Sequence, residues 1–384
     1  MKSLRIALLA HSTNPRGGVV HALELGEALT RLGHEVTVHA PDARKTGFFR
    51  PSICRTANVP AMPFSGNTTE MVRARVNDYL KYFAHAAHRN FDVFHAQDGI
   101  SGNALASLKA QGHIQNFART VHHIDSFEDP ELMAMQVRAI SEANRLFVVS
   151  RTWQDHLSRH YGRSSHIIGN GVDCGRFSPQ RDGRDKDLRL KLGLGEGPVF
   201  LAIGGVEERK NTIGILRGFA LVRQTHTNAQ LVIAGGATVL DHKDYQARFE
   251  IALADAGLQE DAVRMSGSVP QADMPALYRI ADTLVFPSLR EGFGLVVLEA
   301  MASGIPVVTS QIAPFTEYLG GQDVAWCNPE KAGSIAGAML ETLKADARRR
   351  FVENGHAVTA RHDWRHTATA HLAVYADIRE SHFA

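Results

Sequence analysis

The residues with the clearest potential for chemistry lie near position 295. Glu291 and Glu299 are separated by seven residues, and Gly292 and Gly294 lie between them. The glycines allow a tight loop whose backbone N–H groups face a ligand, and a helix is expected to begin at about Gly294. Because a helix N-terminus beside glycines attracts anions, most often phosphate, this stretch predicts a phosphate-binding loop.

The spacing of the two carboxylates indicates what they bind. Eight helical residues rise by about 12 Å, which is comparable to the reach from ribose to hexose in a sugar nucleotide. Glu291 and Glu299 are therefore expected to hold two separate sets of hydroxyls and not to form a close pair. The alternative is that both are surface glutamates near a helix start, where the helix dipole favours them.

Two adjacent cations, Arg209 and Lys210, follow the segment Ile203-Gly204-Gly205 at the expected start of another helix. A guanidinium suits bidentate contact with phosphate, and two cations together can take the place of a metal ion. The alternative is an exposed basic helix start without a ligand. The sequence contains no HExxH pattern and no compact His/Cys cluster, so neither a metal ion nor another cofactor is expected.

The first half of the chain has its own candidates. Gly17 and Gly18 follow the apolar run 6–10, in a turn where glycine lets the backbone come close to a ligand. His122 ends another predicted strand, at 118–122. The alternatives are that the two glycines only satisfy the geometry of the turn and that the histidine is structural or solvated.

Positioning these residues requires an alternation of strands and helices, and the sequence has one. Short apolar runs alternate with segments of helical periodicity, which predicts two successive α/β domains with doubly wound parallel sheets. Ligands of such sheets bind at the carboxyl ends of the strands, here facing the crevice between the domains. The predicted strands are 6–10, 36–38, 91–95, 118–122, 146–150, 166–168, 199–203, 231–234, 263–265, 283–286 and 306–309. The predicted helices include 71–90, 129–143, 211–223, 245–256 and 345–354, and the charged segment 179–197 is either a linker or an exposed helix.

The composition excludes several classes of protein. Of 384 residues, 44% are hydrophobic and 21% charged, as in globular proteins, and the formal net charge of +2 is too small for a nucleic-acid binder. Three dispersed cysteines argue against a disulfide scaffold, and no apolar run reaches the length of about 20 residues that spans a bilayer. The protein is expected to be cytoplasmic. Peripheral membrane contact stays open, because 71–90 is basic and amphipathic, although a solvated helix face is the other reading.

The segment around Glu291 and Glu299 resembles the retaining GT-B glycosyltransferases of glycosyltransferase family 4. The family pattern is a Glu, seven residues and a second Glu, followed here by Gly304-Ile305-Pro306-Val307-Val308. The resemblance implies a GT-B architecture, in which two Rossmann-like domains face each other across a cleft. It places an N-terminal acceptor domain at 1–173, a donor domain at 174–362, and a C-terminal helix, about 363–384, packed back on the first domain.

The resemblance also assigns roles within the predicted donor domain. Glu299 is expected to bind the ribose hydroxyls of the donor and Glu291 its sugar. Backbone groups of Phe293, Gly294 and Leu295, beside Gly292, would face the sugar and the diphosphate. Lys210 matches the family's diphosphate-binding lysine. The arginine that usually accompanies it is replaced by Gly205, and Arg209 would supply the missing charge from another direction.

In the first domain the resemblance implies that Gly17 and Gly18 approach the donor phosphates and that His122 faces the donor sugar. Four further residues are candidates for contact with the acceptor, and the last two of them are also alternatives to His122. They are His95, Asp98, His123 and Asp125.

The expected activity is transfer of a hexose from a nucleotide-diphosphate sugar to an unidentified acceptor, with retention of anomeric configuration and without a metal ion. The acceptor is a small molecule, a glycan or a lipid. Alternatives are a sugar-nucleotide epimerase or phosphorylase of the same architecture, a dinucleotide-dependent oxidoreductase, or a non-catalytic sugar-nucleotide binder. The absence of GxGxxG after the first strand argues against the oxidoreductase. The sequence leaves open the base, the sugar and the oligomeric state.

Overall fold

The computed structural model describes residues 3–236, 243–259 and 261–380. The chain divides into two compact units, of which the first comprises Met1–Gly171 with Trp364–Ala384 and the second Val172–Asp363. The sequence places the corresponding limits at 173/174 and at about 363. Residues 381–384 of the expected C-terminal helix lie outside the described residues.

The first unit is built on a parallel sheet. Its described strands are β1 (Arg5–Leu9), β2 (Glu35–Asp42), β3 (Arg55–Pro60), β4 (Val93–Ala96), β5 (Ala118–Val121), β6 (Arg145–Val148) and β7 (His166–Ile167). Its helices are α1 (Gly17–Arg31), α2 (Thr68–Ala84), α3 (Gly99–Ala110), α4 (Pro130–Ser141) and α5 (Arg151–Tyr161), with a short 3-10 turn at Ala86–Arg89. The strand order is β3-β2-β1-β4-β5-β6-β7, with all neighbours parallel.

The second unit repeats this plan. Its described helices are α6 (Gly183–Lys191), α7 (Thr212–Arg223), α8 (Lys243–Asp255), α9 (Met274–Arg279), α10 (Leu295–Ala302), α11 (Phe315–Tyr318), α12 (Ala332–Leu343) and α13 (Ala345–Ala360). Its strands are β8 (Val199–Ile203), β9 (Gln230–Ala234), β10 (Val263–Gly267), β11 (Thr283–Phe286), β12 (Val307–Ser310) and β13 (Ala325–Cys327). They lie in the order β10-β9-β8-β11-β12-β13 and are parallel.

The last described helix, α14 (Trp364–Glu380), belongs to the first unit. The rings of Trp364 and His21, the latter on α1, lie 5.3 Å apart. The hydroxyl of Tyr375 lies 2.6 Å from Nδ1 of His95 on β4. The C-terminal helix therefore completes the polar interior of this unit.

The predicted fold class is confirmed: the chain is α/β, with two doubly wound parallel sheets. Strands β1 and β8 are apolar runs buried on both faces, as parallel sheets require. In both sheets the first strand of the unit lies between its second and its fourth strand. The strands that come next in the sequence are therefore added first on one side of this strand and then on the other. Such a switch point is where the carboxyl ends of neighbouring strands leave room for a ligand.

Two expectations about elements change. Strand β3 was not predicted, because only Val59 among its six residues is buried and the segment lacks an apolar run. It is an edge strand, where burial is incomplete. For the charged segment 179–197 the sequence allowed either a linker or a helix, and the structure shows that it contains helix α6. Asp182 caps this helix by accepting a hydrogen bond from the Arg184 amide at 3.0 Å.

Candidate active site

In the second unit, the loops after β8 and β11 bring three charged side chains together. Lys210 Nζ lies 2.5 Å from Glu291 Oε2. Arg209 Nη1 donates to both oxygens of the same carboxylate, at 3.0 and 3.1 Å. The loops are also joined by the Leu289 amide, which donates to the Arg209 carbonyl at 2.9 Å. We call Arg209, Lys210 and Glu291 the charged cluster; it forms because β8 and β11 are adjacent in the sheet.

The charged cluster holds Glu291 ionised. Burial alone raises the pKa of this carboxyl, but the charges of Lys210 and Arg209 outweigh burial and lower the pKa to about 2. Burial lowers the pKa of Lys210, an effect that the charge of Glu291 opposes. The Lys210 ammonium also lies 4.3 Å from the centre of the Phe286 ring, which further stabilises a cation there. Arg209 is the accessible member, with 41% of its side chain exposed.

Glycines make room for the charged cluster. A Cβ on Gly204 would lie 3.1 Å from the Lys210 side chain, and Gly205 has a left-handed φ of 74°. A Cβ on Gly235 would lie 2.4 Å from the Gly205 amide nitrogen. Gly235, at the end of β9, was not singled out in the sequence, although a Gly-Gly pair directly after a strand was a usable signal. An arginine at position 205 would be strained, whereas Arg209 reaches Glu291 without such strain.

The loop before α10 depends on glycine as predicted from its composition. Gly294 has a φ of 94°, and a Cβ there would lie 2.6 Å from the ring of Phe315. The rings of Phe293 and Tyr318 stack in parallel at 4.6 Å, and the Tyr318 hydroxyl donates to the Phe293 carbonyl at 3.1 Å. Helix α10 therefore begins on a rigid support, and its first N–H groups have no partner within the helix.

Not every backbone group of this loop is available. The Phe293 carbonyl is occupied by Tyr318, and the Gly292 amide donates to Glu291 Oε1 at 3.1 Å. Of the predicted ligand-facing groups, those of Gly294 and Leu295 are closest to the helix start. The tertiary packing thus limits the predicted anion-binding part of the loop to that end.

Glu299 lies one turn inside α10 and has a different environment. The buried hydroxyl of Tyr278 donates to its Oε2 at 2.5 Å. Burial raises the pKa of Glu299, and the Tyr278 hydrogen bond and the charge of Arg176 oppose that shift. The helical spacing of about 12 Å assumed for the two glutamates is wrong, because Glu291 precedes the helix, which begins at Leu295. The hydrogen-bond partners of the two glutamates nevertheless differ, as expected for two separate ligand contacts.

In the first unit, Gly18 and His122 are brought together. A Cβ on Gly18 would lie 3.3 Å from His122 Cδ2 and 3.7 Å from the Gln97 carbonyl oxygen. His122 Nε2 lies 3.1 Å from Gln97 Oε1. At Gly17, the first residue of α1, a Cβ would meet no described atom within 4 Å, so local packing does not require glycine there. Gln97 was not among the predicted residues, since a glutamine after a strand carries no distinctive signal.

The expectation that His95 contacts an acceptor is wrong. Its side chain is fully buried, and its two ring nitrogens are engaged by Tyr375 and Thr120, the latter at 2.8 Å. The cause is that His95 lies within β4, beneath α14, and not beyond the end of the strand. Asp98 caps α3 by accepting a hydrogen bond from the Ser101 amide at 2.8 Å, which is a structural role.

His123 and Asp125 remain accessible. His123 Nε2 lies 3.2 Å from Asp125 Oδ2, and 57% and 42% of the two side chains are exposed. Both follow β5 directly, near His122. Of the four acceptor candidates, these two are the ones that a ligand can reach freely.

Among the described residues, no three His, Cys, Asp or Glu side chains are grouped in a way that could hold a metal ion. In the same ranges, no helix combines the length and apolar character needed to cross a membrane.

Comparison with known proteins covers both units. The family model described as "Glycosyl transferases group 1" matches residues 185–358, and that described as "Glycosyltransferase Family 4" matches residues 15–176. A D-inositol 3-phosphate glycosyltransferase of Xylanimonas cellulosilytica is 28% identical over 97% of this chain and 96% of its own. An O-antigen chain mannosyltransferase B of Escherichia coli is 32% identical over 68% of this chain and 70% of its own.

Among solved structures, the Anabaena HepE protein in complex with UDP and glucose has the same fold. The TM-score is 0.78 at 18% identity, with 97% of this chain and 99% of that chain covered. At this identity the likeness concerns the fold alone.

Proposed function

This chain belongs to the group 1 glycosyltransferases of family 4, and we propose that it transfers a hexose from a nucleotide-diphosphate sugar to an acceptor with retention of anomeric configuration and without a metal ion. That the chain is a glycosyltransferase with the GT-B fold follows from the family and the fold. The sugar, the stereochemistry and the metal independence are the proposal. The observation that carries it is the convergence of Arg209 and Lys210 on Glu291, beside the N-terminus of α10.

We assign the donor diphosphate to Lys210, Arg209 and the first amides of α10. Two cations and a helix N-terminus supply the positive potential that a metal ion supplies in other sugar transferases. Glu291 holds the two cations in place, so fewer side-chain rotamers have to be lost when the diphosphate binds. The two cations of the charged cluster exceed the single negative charge of Glu291. Binding of an anion neutralises the positive charge that remains.

The sugar nucleotide then extends to the two glutamates. Glu291 contacts the donor sugar and Glu299 the ribose hydroxyls. The Tyr278 hydroxyl restricts Glu299 to one orientation, so the second oxygen of the carboxylate is directed to the ligand. In the first unit, Gly17 and Gly18 approach the phosphates, and His122 faces the sugar. His123 and Asp125 contact the acceptor.

The reaction exchanges one C–O bond for another. The bond from the anomeric carbon to the diphosphate oxygen breaks, and a bond to the acceptor hydroxyl oxygen forms on the same face. The acceptor proton passes to the leaving phosphate, so no dedicated base is needed. Because the anomeric centre becomes positively charged while the diphosphate gains negative charge, catalysis consists mainly of stabilising the leaving group.

A binding screen followed by product analysis tests the proposal. UDP, GDP and ADP are compared by thermal shift, because a ligand of the folded state raises the melting temperature by mass action. The matching sugar nucleotides, UDP-glucose, GDP-mannose and ADP-glucose, are then incubated with a panel of sugar and inositol phosphate acceptors, with EDTA present and absent.

The expected result is stabilisation by one nucleoside diphosphate and an EDTA-resistant product with the donor's anomeric configuration. An inverted product, or activity that EDTA abolishes, would contradict the retention or the metal independence. Conversion of the donor alone into an epimer would instead support an epimerase. Stabilisation by none of the three nucleotides would contradict the assigned donor site.

A further inference from the structure

We propose that Gln97 is a positioning residue that holds His122 in one neutral tautomer, with Nε2 protonated and Nδ1 free to accept a hydrogen bond from a hydroxyl of the donor sugar. The inference rests on the proposed function of His122 and extends it. It identifies a chain of buried polar groups that runs from α14 through β4 to the end of β5.

This series of hydrogen-bonded groups begins at Tyr375 on α14. Its hydroxyl is buried, and among the described residues His95 Nδ1, at 2.6 Å, is the hydrogen-bond partner found for it. If Nδ1 carried a proton, the buried phenolic O–H would have no acceptor, and a buried donor without an acceptor is unfavourable. Nδ1 of His95 is therefore the acceptor, and Nε2 donates to Thr120 Oγ1 at 2.8 Å.

The tautomer of His95 determines the orientation of the side-chain amide of Gln97. Gln97 Nε2 lies 3.4 Å from His95 Nδ1, which is the nitrogen with the lone pair. An amide oxygen in that place would meet a second acceptor, so the NH₂ group belongs there. The amide oxygen Oε1 then faces His122 Nε2, at 3.1 Å, and requires a proton on it.

The backbone of Gln97 is fixed as well. Its amide donates to the Leu9 carbonyl at 2.9 Å and to Ser101 Oγ at 3.2 Å, between the end of β1 and the start of α3. The side chain is buried, with 2% of the residue exposed. Gln97 consequently has one defined position from which its amide can bond to His122.

His122 itself is partly exposed, unlike the other histidines of this interior. With Nε2 bonded to Gln97, and its ring edge against Gly18, Nδ1 is the nitrogen left for a ligand. Burial lowers the pKa of His122 well below 6.5, so the ring is neutral and Nδ1 has its lone pair. The charged or titratable groups around it, which lower this pKa further, are His21 on α1, His123 and Arg119 near β5, and His371 on α14.

Substitutions at Gln97 separate this role from a purely structural one. Gln97→Glu places a carboxylate, a stronger acceptor, against Nε2 and should raise the pKa of His122 by about 1–3 units. Gln97→Leu removes the acceptor while keeping an equally large side chain. Gln230→Glu is the matched control: this buried glutamine bonds to the backbone amide of Gly195 at 2.7 Å, in the second unit.

The first measurement needs no substrate. Histidine-selective ¹⁵N NMR of the full chain should show His122 in the wild type as the Nε2–H tautomer, with this proton protected from exchange. The protection should disappear in Gln97→Leu, and the titration of His122 should move upward in Gln97→Glu. A wild-type His122 protonated on Nδ1, or an unchanged His122 titration in Gln97→Glu, would overturn the inference whether or not the enzyme transfers a sugar.

The second measurement uses the donor found in the screen. In Gln97→Glu, kcat/KM should gain an acid limb near the raised pKa, because the imidazolium no longer accepts at Nδ1. In Gln97→Leu, the donor KM should rise about 3- to 10-fold, the effect of one hydrogen bond. Gln230→Glu should keep the wild-type pH profile. If Gln97→Glu also kept it, the proposed role would be wrong while the transferase assignment stood.

Discussion

The candidate residues of the second unit that form the charged cluster are ionised, whereas the histidines that cluster in the first unit are neutral. The charged cluster of the second unit keeps Glu291 ionised by placing two cations against it. The first unit instead contains a histidine cluster, His21, His95, His122 and His371, whose rings contact one another at centroid distances between 4.7 and 6.0 Å. Burial lowers the pKa of each, so these rings are neutral at pH 7.

The difference matches the two halves of the proposed donor. A diphosphate is charged and gains charge as it leaves, so it needs cations and helix amides. A hexose is neutral and offers hydroxyls, for which neutral imidazoles and backbone groups are suitable partners. The comparison predicts that changes to the charged cluster affect catalysis most, whereas changes to the fully buried histidines His21, His95 and His371 affect stability.

The largest expected effect is that of Lys210→Ala. It removes the buried cation that faces Glu291 and, in our proposal, the leaving diphosphate. We expect kcat/KM to fall by about 10²–10³-fold, as when one preorganised electrostatic group is lost. Lys344→Ala is the control, since it removes the exposed lysine that follows α12 and pairs with Glu341, and it should change neither turnover nor donor affinity. Equal kinetics for the two variants would refute the role of Lys210.

Next in size is Glu299→Ala. Loss of hydrogen bonds to a charged group should weaken binding of the nucleoside diphosphate by about 10- to 100-fold, measured by calorimetry. Tyr278→Phe removes only the hydroxyl that orients Glu299, so its effect should be smaller but in the same direction. An unchanged affinity in Glu299→Ala would show that the ribose lies elsewhere.

Gly294→Ala tests the loop that carries Glu291 and leads into α10. A side chain at a φ of 94°, pointing into Phe315, should cost about 1–3 kcal/mol of unfolding free energy and displace the start of α10. Gly337→Ala, inside α12 where a Cβ meets no described atom, should be neutral or stabilising. Denaturant unfolding measures both. Equal stability of the two variants would be inconsistent with the strained turn.

Acid should affect the two units at different pH values. Buried His21, His39 and His371 have pKa values of about 4, 3 and 3 in the folded chain, below the ordinary value of 6.5. The unfolded state therefore binds more protons below pH 6.5, and the first unit should lose stability as the pH falls from the ordinary value of 6.5 to the folded values of about 4 to about 3.

Glu291 acts in a lower window. Its folded pKa of about 2 lies below the ordinary 4.5, so its contribution is present above 4.5 and is lost as the pH falls through 2. Thermal unfolding at about pH 7 and about pH 5 is followed by tryptophan fluorescence in two variants, one that keeps only Trp326 of the second unit and one that keeps only Trp153 and Trp364 of the first. A drop in melting temperature at about pH 5 that is confined to the Trp326 signal would contradict the expectation that the first unit is the more acid-sensitive one.

The smallest expected effect is that of Arg209→Gln. Because Arg209 is partly exposed and Lys210 remains, we expect a rise in donor KM of only a few-fold, stronger at low ionic strength. Steady-state kinetics at two salt concentrations measure it. A loss as large as that of Lys210→Ala would mean that Arg209, and not Lys210, is the principal diphosphate ligand.

Much of the fold could be predicted because its signals are local. The apolar run of β1, the glycines of the turn at 17–18, and the helical periodicity after them are each contained in a few neighbouring residues. Strand β3 could not be predicted in this way, because an edge strand needs no apolar run. His95 was misassigned for a related reason: a histidine within a strand and one just beyond its end look alike until the end of the strand is known.

By itself, the sequence determined the α/β class, the glycine-rich loop between two glutamates, the adjacent Arg-Lys pair and the family to which they point. Only the tertiary structure decided that Lys210 contacts Glu291, that Tyr278 holds Glu299, and that Gln97 joins His95 to His122. The physical reason is the order of strands. Lys210 and Glu291 are 81 positions apart and meet because β8 pairs with β11, a pairing that no local pattern of residue types encodes.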